Sequence, residues 1–71
     1  ADRDAVRFGA TVVLENGDGQ RVTYRIVGED EADPARGKIS YVAPLAMSLL
    51  GSQVGDVVEF AGGQAEIVEI G

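Results

Sequence analysis

The stretch "SYVAPLAMSLLG", residues 40 to 51, decides the fold class, because it is the one place where the chain stops alternating and turns helical. Pro44 suits a first helical position, where its missing N–H donor would have no partner anyway. Gly51 suits the left-handed residue just past a helix end. Between them, Leu45 with Leu49 and Ala46 with Leu50 fall at i,i+4 and form one apolar stripe. Two turns of helix cannot stand alone in water, so a sheet must cover this one. The stretch carries no formal charge, in a chain whose net charge is -6. Such a bare helix is either the plug of a very small core or the edge of a docking surface.

Outward from the helix, the chain reads as strands. In "RFGATVVLE", Phe8, Ala10, Val12 and Leu14 alternate with Gly9, Thr11, Val13 and Glu15, the period of a half-buried strand. "RVTYRIVG" repeats the pattern, with Val22, Tyr24 and Ile26 on one face and Arg21, Thr23 and Arg25 on the other. "NGDG" at 16 to 19 joins the two as a hairpin, since Asn and Gly tolerate the positive φ that tight turns need. "GEDEADPARG", residues 28 to 37, has no period and is punctuated by Pro34 and Gly37 as a loop. "KISYV" is a third strand. After the helix come "VVEF" and "AEIVEI", flanking a turn "AGG" at 61 to 63. In the last strand Val68 and Ile70 favour one face and Ile67 the other, which a bulge would reconcile. The order strand, strand, strand, helix, strand, strand predicts an α+β domain, an antiparallel sheet of about five strands packed on one short helix.

Composition narrows the function. Seventy-one residues make one domain, with residues 1 to 6 expected as a linker or cut end and residues 7 to 71 as the folded unit. With 45% apolar residues but only two Phe, two Tyr and no Trp, the core is aliphatic, and Phe8 and Tyr24 are expected to serve it. The absence of Cys excludes disulfides and thiolate metal sites, and the absence of His removes the commonest general base and metal ligand. Twelve acids against six bases argue against binding nucleic acid directly, because Lys and Arg contacts to phosphate supply most of that affinity. No apolar run reaches the 18 or more residues of a membrane span, and the first ten residues lack the layout of a signal peptide.

The acidic group Glu29, Asp30, Glu31 and Asp33 invites a metal reading. It lacks the alternating ligands, central Gly and terminal Glu of a calcium loop, and is read as a solvated scaffold loop. No cofactor and no metal are expected.

Nearly the whole chain resembles the C-terminal domain of the bacterial Gre transcript-cleavage factors, GreA and GreB. The blocks that carry the likeness are "FGA" at 8 to 10, "YRIVGEDEAD" at 24 to 33, "GKIS" at 37 to 40, the proline-started helix with "LLG" at 49 to 51, and "VGD" at 54 to 56. The resemblance implies an FKBP-like fold, a cytoplasmic location and a non-catalytic role in which the domain docks on RNA polymerase at the rim of its secondary channel, on a coiled coil of the largest subunit. In that family a separate N-terminal coiled coil bears the acids that assist cleavage. Those acids are not among these residues. Relatives that modulate polymerase without stimulating cleavage fit the likeness too, and the fold also includes prolyl isomerases, although fold alone does not license that activity.

The chain departs from the family at the strand-to-helix junction. Val42 and Ala43 stand where a polar pair is usual, Met47 where a basic residue is usual, and Ser52 where a lysine commonly follows the glycine. Tyr41, Val42, Ala43, Pro44 and Met47 are therefore the expected partner-binding residues. Met47 and Ala43 either pack locally or form an altered docking surface, and pairing with a second copy through this patch is a further expectation.

Overall fold

A computed structural model of the chain describes residues 5–60 and 62–71. Five strands form one sheet: β1 (Thr11–Asn16), β2 (Arg21–Val27), β3 (Lys38–Ser40), β4 (Val57–Phe60) and β5 (Gly63–Ile70), in the spatial order β3-β2-β1-β5-β4. One helix, α1 (Pro44–Leu49), packs against β3 and β4. Alternation decides which face of the sheet it covers. Val12 and Leu14 of β1, Ile26 of β2, Ile39 of β3, Val58 of β4 and Ala65 and Ile67 of β5 all point to the helix side and are buried with Ala46 and Leu49. Val12, Leu14, Ile26, Leu49 and Ile67 are the largest fully buried side chains. Burying each contributes roughly 1.5 to 3 kcal/mol relative to exposure.

The β1–β2 hairpin forms as its sequence predicts, with Val12 opposite Tyr24 and Leu14 opposite Val22. Asn16 organises the turn through its side chain: its Oδ1 accepts from the N–H groups of Asp18 at 2.9 Å and Gln20 at 3.0 Å. Val22 and Tyr24 pack on the core as partly buried residues. The expected bulge in the last strand lies against β1, where Val13 pairs with Glu69 but Leu14 pairs with Ile67. Val68 is the extra residue, and skipping it lets Ile67 and Ile70 both meet the core. The turn expected at 61 to 63 includes Ala61, which lies outside the described residues; Phe60 pairs with Gly63 across it.

Four expectations change. The sheet is mixed, because β3 runs parallel to β2, Ile39 beside Ile26. The chain between them returns through two single-turn 3-10 segments, Glu29–Glu31 and Pro34–Arg36, instead of a hairpin. "KISYV" pairs only over its first three residues, since Tyr41 and Val42 already turn toward the helix. The first strand starts at Thr11, and Phe8 is not a core residue: Arg7 to Ala10 make a tight turn, closed by the Ala10 N–H on the Arg7 carbonyl at 3.0 Å, with Gly9 at φ 87. That positive φ ends the alternation and swings Phe8 outward.

The fourth change concerns residues 5 and 6, read from sequence as linker. Val6 is buried in the core. Its N–H donates to the Ser52 carbonyl at 2.7 Å and its carbonyl accepts from Gly51 at 2.9 Å, while Ala5 bridges to Gln53. The helix end is thus held by the incoming chain as well as by its own Leu50 N–H to the Ala46 carbonyl. Residues 1–4 of the expected linker lie outside the described residues.

Candidate partner-docking site

The strand-to-helix junction is short because it has little to do except reverse the chain. Tyr41 remains tied to the sheet, its N–H donating to the Val27 carbonyl at 3.0 Å. Ala43 then closes a turn with its N–H on the Ser40 carbonyl at 2.9 Å, and Ser40 Oγ accepts from the Val42 N–H at 3.3 Å. Pro44 opens α1, fixing φ where the helix needs it. Ala43, at the N-cap, offers no side-chain oxygen to the first helical turn. Stability of this helix comes instead from Ala46 and Leu49 beneath it, and from Ser48 Oγ, which donates to the Pro44 carbonyl at 3.1 Å.

The residues predicted from sequence are brought together, and most of them face solvent. Tyr41 is 43% exposed, Val42 47% and Met47 65%. Pro44 is exposed and Ala43 half-buried. Met47 sits one turn beyond Ala43, its N–H on the Ala43 carbonyl at 2.9 Å, so the helical half of the patch adjoins the loop half. Local packing and surface display are therefore divided: Ala43 and Leu45 pack against the core, whereas Met47 does not.

Phe8 was missed as a surface residue. Its ring is 63% exposed and meets Tyr41 edge-on, with centroids 5.6 Å apart and planes at 72°. Such a pairing contributes roughly 0.5 to 1.5 kcal/mol beyond area burial. The signal available in the sequence was Gly9, since a glycine inside an alternating run marks a bend or bulge. Phe8 also lines an open cleft of about 510 Å³ between the 5–10 segment and the end of β5, at Ile70 and Gly71. The combined patch, Phe8, Tyr41, Val42, Pro44 and Met47, contains no charged side chain.

The acidic loop has a different character. Glu29, Asp30 and Glu31 are exposed on a 3-10 turn, while Asp33 bonds Arg36 (Oδ2 to Nε, 3.4 Å) and ties its backbone to Lys38. Among the described residues, no three acidic side chains are grouped so as to hold a metal ion. No helix among them is long and apolar enough to cross a membrane.

A curled five-stranded sheet with one short helix laid across it, and an uncharged aromatic and aliphatic patch at the strand-to-helix junction, defines a small α+β domain of the FKBP-like class. The chain belongs to the family described as "Transcription elongation factor, GreA/GreB, C-term", whose model matches residues 1–71. Among curated proteins it is 54% identical over 66 residues to the transcription elongation factor GreA of Anaeromyxobacter sp. (strain K), covering 89% of this chain and 40% of that protein. It is 50% identical over 70 residues to GreA of Pseudomonas putida, covering 92% of this chain and 44% of that protein. The chain therefore spans less than half the length of these relatives. Among solved structures it superposes on GreA factor homolog 1 of Thermus thermophilus with a TM-score of 0.85 at 29% identity, over 100% of this chain and 51% of that one. The GreA/GreB factor of Nitrosomonas europaea gives a TM-score of 0.83 at 28% identity, over 96% of this chain and 61% of that one.

Proposed function

We propose that this chain is the non-catalytic docking domain of a transcription elongation factor, and that it seats on bacterial RNA polymerase near the secondary channel, on the coiled coil of the largest subunit. Phe8, Tyr41, Val42, Pro44 and Met47 make the contact, with Ala43 supporting the turn. The observation that carries this reading is the aromatic pair Phe8–Tyr41, exposed beside an uncharged helix start in a chain that belongs to the Gre C-terminal family. Aromatic side chains supply large contact area at low ordering cost, and Met47 adapts its shape to the opposing surface. Pro44 holds the junction in its bound shape beforehand, so less conformational freedom is lost on docking.

The deciding experiment is a titration of this chain against purified bacterial RNA polymerase at two salt concentrations, with a polymerase lacking the largest-subunit coiled coil as the comparison. Saturable binding that vanishes with the coiled coil supports the proposal. Because the patch is uncharged, affinity should change little with salt. Undiminished binding to the deleted polymerase would overturn the assignment.

A further inference from the structure

Sulfur occurs once in this chain: Met47 is the single methionine, and there is no cysteine. Methionine ordinarily fills gaps inside cores. Met47 does not. Its side chain is 65% exposed, more than Phe8, Tyr41 or Val42, while Ala46 before it and Leu49 after it supply the buried contacts of α1. The backbone of Met47 is committed to the helix, its N–H on the Ala43 carbonyl at 2.9 Å. The fold therefore does not depend on the apolar character of this side chain. Of the surfaces described above, only the patch at the strand-to-helix junction does.

An exposed thioether is open to peroxide. The sulfur gives an electron pair to one oxygen of hydrogen peroxide, the O–O bond breaks as the S–O bond forms, and the departing hydroxide takes the proton of the transferred oxygen and leaves as water. The sulfur loses two electrons and the peroxide gains them. The product, methionine sulfoxide, is uncharged but polar and chiral, and its oxygen is an acceptor that must be desolvated when an apolar contact closes over it. With no cysteine in the chain, no thiol competes for the oxidant.

We infer that Met47 is a peroxide-sensitive modification site whose oxidation releases the domain from its partner while leaving the fold intact. The inference rests on the docking reading proposed above, and it assigns that contact a reversible redox control. Reversal needs a dithiol reductant and methionine sulfoxide reductases of both epimer specificities: the dithiol is oxidised to a disulfide, and the sulfoxide oxygen leaves as water. Because the sulfoxide brings no charge, oxidation lowers affinity without changing its salt dependence.

The test treats the purified chain with hydrogen peroxide, removes the peroxide by desalting, and titrates the product against untreated bacterial RNA polymerase. Peptide mass mapping should find one added oxygen atom, at Met47. Thermal unfolding should keep its midpoint, and affinity should fall at least about tenfold with an unchanged salt slope. Both reductases with dithiothreitol should restore it. Met47→Leu carries no sulfur, and its affinity, whatever its value, should be the same before and after peroxide. The inference is overturned by an oxidised chain that binds as the untreated one does, by an unfolding midpoint that falls together with binding, or by a Met47→Leu protein that also loses affinity on treatment. Failure of the untreated chain to bind removes the docking reading itself and, with it, the output assigned to Met47. Binding that ignores the oxidation removes this inference alone.

Discussion

Phe8 stacks edge-on against Tyr41 at 5.6 Å, joining the turn before β1 to the segment that leads from β3 into the helix. Each ring is held by backbone that belongs to the same strand end: the Gly9 N–H donates to the Ile26 carbonyl, and the Tyr41 N–H to the Val27 carbonyl. The aromatic half of the patch is therefore anchored to the end of β2. Phe8→Ala should weaken polymerase binding by about tenfold or more, since anchoring aromatics dominate interfaces. A double-mutant cycle with Tyr41→Ala, followed by urea unfolding, should return a coupling of about 0.5 to 1.5 kcal/mol. Zero coupling would mean that the rings do not support each other in solution.

Pro44→Ala keeps the helix start compatible with its backbone and leaves Ala46 and Leu49 in place. It should reduce affinity for polymerase by several-fold while shifting the unfolding midpoint only slightly, because the lost quantity is rigidity of the junction. Equal binding by the two proteins would remove the junction from the interface.

Leu49→Ala should act on the fold instead. Leu49 has no exposed surface and sits on the inner face of α1 over the sheet. Truncation should cost about 2 to 5 kcal/mol, a large share of what so small a domain has available. Thermal unfolding measures it, and an unchanged midpoint would contradict the packing of the helix.

Gly37 combines a positive φ with a close backbone neighbour. It has φ 79, and a Cβ there would meet the Thr23 carbonyl oxygen at 2.7 Å. That clash is with β2 backbone, so Gly37→Ala should destabilise by about 1 to 3 kcal/mol and loosen β3. Gly17 has nothing within 4 Å and no positive φ. Gly17→Ala should be close to neutral, and denaturant titration of the pair separates backbone strain from a generic glycine effect.

Met47→Lys places a positive charge on a surface that is 65% exposed. Folding should be indifferent to it. Polymerase binding should become steeper in salt, because a charge has entered an uncharged contact. Surface plasmon resonance at graded ionic strength would detect the change, and identical salt slopes would place Met47 outside the contact.

Much of the fold was legible because its decisive signals are local. The hairpin followed from alternation in 11–16 and 21–27 around an Asn-Gly turn, and the helix from Pro44, the 45/49 and 46/50 spacing and Gly51, whose φ is 85. Phe8 was misplaced because period-2 alternation runs through it without a break, and the single residue that reverses the chain, Gly9, has no side chain to disturb the pattern. The candidate site was correspondingly half legible: residues 41 to 47 lie together in sequence, whereas Phe8 joins them only through space.

By itself the sequence determined the element types, the aliphatic core and the exclusion of cysteine and histidine chemistry, since these depend on composition and on spacings of two to four residues. Tertiary structure alone decided that β3 runs parallel to β2 and that Val6 seals the helix end. Each of these is a pairing between segments distant in the chain. Strand register and sheet order set such pairings, and both are chosen by the burial of the whole core at once, not by any single segment's periodicity.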